Sequence, residues 1–201
     1  MQNTKSNYRN ILSVRKIVFA GLFSSISIFL GVTGLGFIHI PPVAATILHV
    51  PVIVAAIVEG PIVGMIVGLI FGLFSMYQAV TAPTITSFIF LNPIIALLPR
   101  ILIGLVSYYT YAFLSKRSFF EKYKKLSIGI VASLGTLTNT ILVLSLAFIL
   151  YGESLASAMG LSPSTIGLTL AGIGVTNGIP ETIISTLICI PVVVAIKKLQ
   201  K

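Results

Sequence analysis

The sequence predicts an all-α membrane protein, a single bundle of six transmembrane helices with both termini in the cytoplasm. Three observations predict it. First, 56% of the 201 residues are hydrophobic and only 8% are charged, with a mean hydropathy of +1.09. A soluble domain carries about 25% charged residues because water must cover its surface. Thirteen basic and four acidic residues cannot do so here, whereas a bilayer removes the need. Second, apolar stretches near the roughly 20 residues a spanning helix needs alternate with Pro-, Gly- or Lys-rich breaks. Third, six passes place every basic cluster on one side.

In order, the expected spans are 17–34, 43–58, 62–80, 92–114, 126–150 and 164–196, within one transmembrane domain, 1–201. The first follows Lys5, Arg9, Arg15 and Lys16, which gives it the look of a signal peptide. Its apolar run continues past about 15 residues, too long for such a segment, so it is read as a retained helix. Two glycines and two prolines in 34–42 argue for a loop. The second span is short and contains Pro51, which predicts a kink or a tilted partial pass. Glu59-Gly60-Pro61 and then Ala82-Pro83 bound the third span. The fourth opens on Asn92-Pro93, a capping residue followed by proline at the first helical position. A basic segment, 116–125, leads to the fifth. Residues 151–163 read as a loop, and Ser162-Pro163 repeats the cap-then-proline signal ahead of the sixth span. That span is long enough to hold a break near Gly178-Ile179-Pro180.

The net charge of +9 does not point to nucleic acid, because the basic residues form no continuous stripe. They cluster before the first span, between the fourth and fifth, and after the sixth, which is the cytoplasmic side when both termini are inside. A five-pass reading puts one cluster outside. The single cysteine, Cys189, allows no disulfide within the chain.

One basic residue escapes this pattern. Arg100 lies inside the fourth span, about eight residues or roughly 12 Å from its outer end at 1.5 Å per residue. A charge at that depth faces a cavity or a partner. It either binds an anionic group, for which a planar guanidinium suits a carboxylate, or pairs with Glu181. Asn139 and Asn177 lie at similar depth in the fifth and sixth spans and must also point inward. They line a shared cavity with Arg100 or bond between helices. Thr136, one turn before Asn139, shares its face. It lines the same cavity or satisfies its own helix. His49, Gln78 and Thr81 sit near outer ends of spans, where they contact a ligand from above or serve as interfacial polar residues. Glu181 reads as structural or partner-facing.

Gly60, Gly64, Gly68 and Gly72 recur every four residues along the third span, a stripe that lets another helix approach closely. Ala20 and Ser24, with Gly21 and Ser25 beside them, give the first span a similar small-residue pattern. It serves packing within the bundle or docking to another membrane protein. Catalytic signatures are absent. There is no P-loop, no HExxH, no GxSxG and no aspartate. No enzyme and no metal site is expected.

The order of several strings carries a family resemblance. They are Ile47-Leu48-His49-Val50-Pro51-Val52-Ile53, Gly60-Pro61 with the glycine stripe, Ala82-Pro83-Thr84, Phe90-Leu91-Asn92-Pro93, Leu98-Pro99-Arg100-Ile101-Leu102-Ile103-Gly104, Gly135-Thr136-Leu137-Thr138-Asn139-Thr140 and Thr176-Asn177-Gly178-Ile179-Pro180-Glu181. Across most of the chain they resemble the substrate-binding subunits, or S components, of energy-coupling factor (ECF) vitamin transporters, in the branch associated with pantothenate. Sister branches, including those for hydroxymethylpyrimidine, share much of this text. The resemblance implies a six-span bundle in a prokaryotic plasma membrane that binds a vitamin from outside. It implies partners: a transmembrane coupling subunit, docked on small residues of the first helix, and two ATPases. ATP is then used by the partners, and this chain holds no cofactor. Family members carry an Ala-xxx-Ala pattern where this chain has Ala20 and Ser24, so the docking register stays open. Pantothenate offers one carboxylate, one amide and two hydroxyls. Arg100 is expected to hold the carboxylate and Asn139 and Asn177 the rest, with His39 to Pro42 closing over the top. Two readings from other classes compete: a structural or regulatory subunit with no tight small ligand, and a transporter or channel that works alone.

Overall fold

The computed structural model describes residues 13–40 and 43–200. Lys5, Arg9, Pro41, Pro42 and Lys201 of the expectations above lie outside them. The chain folds as α1 (Val14–Val32), a hairpin of β1 (Phe37–Ile40) and β2 (Val43–Thr46), α2 (Val50–Glu59), α3 (Pro61–Thr81), a 3-10 turn (Ser87–Leu91), α4 (Pro93–Ser115), a short α5 (Ser118–Lys122), α6 (Lys124–Ala158) and α7 (Ile166–Leu199). The hairpin is antiparallel, with Phe37 opposite Thr46 and Ile40 opposite Val43.

Among the described residues, five helices are long and apolar enough to cross a membrane: α1, α3, α4, α6 and α7. The expected second span is not a full helix. Residues 43–46 belong to the hairpin, and α2 has ten residues, about 15 Å against a hydrocarbon core of about 30 Å. Its position explains its composition. Val52, Ile53, Val54, Ala55 and Ala56 are at most 1% exposed, and a helix apolar all round belongs in a core. α2 runs down the middle of the bundle, touching α1, α3, α4, α6 and α7. Gly60 then turns the chain into α3 at φ 100°, where only glycine is unstrained, with Pro61 starting the next helix.

The glycine stripe meets α4. A methyl group added at Gly64 would sit 3.1 Å from the Gly104 Cα, one at Gly72 2.6 Å from the Ala96 carbonyl oxygen, and one at Gly68 would collide with the Arg100 carbonyl. As α3 rises α4 descends, so the two are antiparallel with backbones in direct contact. Asn92 caps α4 as expected, its Oδ1 accepting from the Ile94 N–H at 2.9 Å.

Three boundaries differ from expectation. α6 continues past Leu150 to Ala158 across a kink at Tyr151, whose φ of −137° is not helical. It stops where Gly160 turns left-handed, with the Leu161 N–H donating to the Ala156 carbonyl and the Gly160 N–H to Ser157. The Ser162 hydroxyl folds onto Thr165 instead of capping α7, which begins one turn later. α7 is also continuous through 178–180, with Pro180 and Pro191 inside it. At one end of the bundle Glu59 accepts from Arg15 at 2.7 Å and from Gln200 at 3.2 Å, which gathers the start of α1, the end of α2 and the end of α7. Large apolar side chains face outward along α1 and α7, among them Ile17, Val18, Phe29, Leu168 and Leu187. That surface is stable in lipid and not in water.

Candidate functional site

A cavity of about 260 Å3 lies between the hairpin, α3, the 3-10 turn, α4 and α6. Arg100 is its one charged residue. Pro99 explains how a guanidinium is held there. Proline has no N–H to give the carbonyl four residues back, so the Ile95 oxygen is freed, and Arg100 Nη1 donates to it at 2.8 Å. The guanidinium also packs against the rings of Phe71 and Phe90, with its central carbon 5.5 and 4.9 Å from their centroids. The residue is 5% exposed, and its Nε has no protein partner.

No ion pair joins Arg100 to Glu181. Among the described residues the only salt bridge is Arg15–Glu59. Glu181 is buried and its Oε1 accepts from the Thr46 N–H at 2.8 Å, so it ties the base of the hairpin to α7. The cavity therefore contains a cation with no carboxylate opposite it. Asn139 lines the same space, and its buried Oδ1 has no partner. Gln78 lines it too, with Nε2 donating to the Gly31 carbonyl at 3.3 Å.

The remaining expected residues are elsewhere. Asn177 does not line this cavity, although its Oδ1 is also buried without a partner. His49 and Thr136 form a chain in the core behind it. Thr136 donates its one hydroxyl proton to the Ala132 carbonyl at 2.9 Å, so it accepts from His49 Nε2, also at 2.9 Å. Both side chains are fully buried. Thr81 is exposed and bonds the Tyr77 carbonyl on its own helix. On α1 the register is corrected. Ala20 and Ser24 are buried against the bundle, and Gly21 and Ser25 face outward. Of His39 to Pro42, Pro41 and Pro42 lie outside the described residues.

Sequence reasoning missed Ser75, Thr46, Thr84 and Ser87 on the lining, and the rings of Phe37, Phe71 and Phe90. Thr84 and Ser87 carried a local signal, since a hydroxyl pair three apart after a proline favours a side-chain-bonded turn. Here the Thr84 N–H donates to Ser87 Oγ at 2.8 Å. A larger cavity of about 730 Å3 lies between α6 and α7. It holds no charged residue, and the hydroxyls of Thr140 and Thr182 bond carbonyls of their own helices. Ser145 supplies its one other polar side chain.

A family model described as the substrate-specific component of ECF transporters matches residues 15–193. This chain belongs to that family. The substrate-specific component is also similar to the pantothenic acid transporter PanT of Lactococcus lactis subsp. cremoris (strain MG1363). The two are 33% identical over 171 residues, which covers 78% of this chain and 80% of the relative. The membership makes this chain the substrate-specific subunit of a membrane transporter.

Proposed function

We propose that this substrate-specific component binds pantothenate in the Arg100 cavity and serves as the vitamin-capturing subunit of an ATP-driven ECF transporter. The observation that carries the reading is the buried Arg100 guanidinium, with a free Nε and, among the described residues, no salt bridge. Leaving such a charge uncompensated is costly, and a ligand carboxylate removes the cost. The similarity to a pantothenic acid transporter supports the same vitamin. Asn139 takes a donor from the ligand amide or a hydroxyl through its unpartnered Oδ1, Ser75 and Gln78 face the remaining polar groups, and the Phe71 and Phe90 rings exclude water. A neutral pyrimidine would leave Arg100 uncompensated.

In this reading α1, α3, α4, α6 and α7 cross the bilayer, and the hairpin with α2 makes a sixth pass. Both ends then face the cytoplasm of a prokaryotic cell. The placement of the basic clusters supports this, and so does the meeting of Arg15, Glu59 and Gln200 at one end. The coupling subunit docks on the outward Gly21–Ser25 face of α1, and two ATPases drive the cycle. No chemistry is performed on the vitamin by this chain.

The test is calorimetry on the purified chain with pantothenate and with its alcohol analogue, in which CH2OH replaces the carboxylate. A charge-assisted hydrogen bond contributes about 1.5–3 kcal/mol, so the analogue should bind roughly 10- to 150-fold more weakly. Arg100→Ala should lose affinity for pantothenate by a similar factor and abolish the discrimination. Equal binding of the two compounds by the wild-type chain would discard the carboxylate assignment. No heat with any vitamin would favour a scaffold subunit.

A further inference from the structure

A second polar cavity, of about 500 Å3, opens at the other end of the bundle, framed by the last turns of α4 and α7 and the first turn of α6. Lys124, Lys197 and Lys198 line it with Tyr111, and Ile128 and Val194 supply an apolar floor. Among the described residues no acidic side chain lines it and none of the three lysines forms a salt bridge.

Lys124 and Lys198 are exposed, and Lys197 is held more closely. Lys197 is half-buried, and its ammonium contacts a phenol instead of a carboxylate. Nζ donates to the Tyr111 hydroxyl and lies 3.9 Å from the centroid of that ring, which orients the charge without neutralising it. Lys124 is the first residue of α6, where the helix dipole opposes a cation and favours an anion. Tyr123, the capping residue of that helix, makes no side-chain cap bond. The Leu126 and Ser127 N–H groups already donate to the Tyr123 carbonyl, so the preference of the cavity for an anion rests on its three ammoniums.

We propose that this cavity binds the phosphate of an anionic phospholipid headgroup. Its level in the molecule favours a lipid over a free anion. It sits where three spanning helices end, beside the exposed Phe113, Phe119 and Tyr123, and aromatic side chains of this kind collect at the headgroup layer. A basic pocket between spanning helices at that layer suits such a headgroup, and the Ile128–Val194 floor accommodates the start of its acyl chains. The inference rests on the chain spanning a membrane and is independent of the vitamin reading.

The test is native mass spectrometry of the full chain in detergent, with equimolar phosphatidylglycerol and phosphatidylcholine. Phosphatidylglycerol should be retained about tenfold more. The Lys124→Gln, Lys197→Gln, Lys198→Gln triple variant should fall to the phosphatidylcholine level, and the matching triple arginine variant should keep the preference. A melting curve of each variant in detergent checks folding. Equal retention of the two lipids overturns the proposal, as does a preference that survives the glutamine variant. If inorganic phosphate alone raises the melting temperature of the wild-type chain but not of the glutamine variant, and displaces phosphatidylglycerol, the site takes free phosphate and the lipid assignment fails.

Discussion

Glu181 and Thr46 show how one side chain can matter without touching a ligand. The Glu181 carboxylate accepts from the Thr46 N–H, and Thr46 lines the Arg100 cavity. Glu181→Gln keeps an oxygen acceptor in that place, and Glu181→Ala leaves a buried N–H unsatisfied. Stopped-flow release of bound pantothenate should therefore be several-fold faster in the alanine variant and near wild type in the glutamine variant. Equal release rates in all three chains would show that the hairpin is not held by this bond. Behind the cavity, Thr136→Val strands the His49 Nε2–H. Leaving a buried donor unmade costs about 1–3 kcal/mol, so the melting temperature in detergent should drop while pantothenate affinity changes little. Arg100 was legible because a charge inside an apolar run has few explanations. Phe71 and Phe90 were not, since twelve phenylalanines in an apolar chain look alike until a guanidinium is seen against two of them.

At the level of the helix, the two small-residue stripes behave differently. Gly68 on α3 has the Arg100 carbonyl against it, so Gly68→Ala forces α4 away and moves the guanidinium with it. Overpacking of this kind costs about 1–3 kcal/mol; both melting temperature and pantothenate affinity should fall. Gly21 on α1 has nothing within 4 Å of an added methyl. Gly21→Ile should leave stability and pantothenate binding intact and lower uptake by the assembled transporter; unchanged uptake would remove α1 from the docking surface. The stripe on α3 was readable because it is regular and one-sided. The face of α1 was not, because Ala20 and Ser24 on one side and Gly21 and Ser25 on the other are equally small, and only packing against α2 and α3 distinguishes them. For the same reason, an apolar run around Pro51 could not reveal whether it crossed the bilayer or stopped halfway.

For the whole molecule, the junction at Glu59 makes the arrangement of the ends testable. Cysteines placed at Ser13 and Leu199 should react with an impermeant thiol reagent from one face of a sealed vesicle, and one at Ser162 from the other. Cys189 is fully buried and should give little background. Labelling of Ser13 and Leu199 positions from opposite faces would break the six-pass arrangement. That the chain is a bundle of apolar, membrane-spanning helices was legible from the alternation of apolar runs with breaks. The hairpin that roofs the cavity was not, since its strands are short and apolar and owe their pairing to the bundle beneath them.

The glycine contact between α3 and α4 also decides which wall of the Arg100 cavity can give way. Helices whose backbones touch at Gly64, Gly68, Gly72 and Gly104 have no side-chain layer to slide on, so neither can shift without lifting off the other. Arg100, Phe71, Ser75 and Gln78 all stand on this pair. They form a fixed anvil, and the opposite wall is a hairpin of two four-residue strands with Thr46 fastened by one hydrogen bond to α7. On the pantothenate reading proposed above, loading and unloading become matters of raising a latch against a stationary jaw, and Arg100, Phe71, Ser75 and Gln78 keep the same spacing whether the latch is up or down.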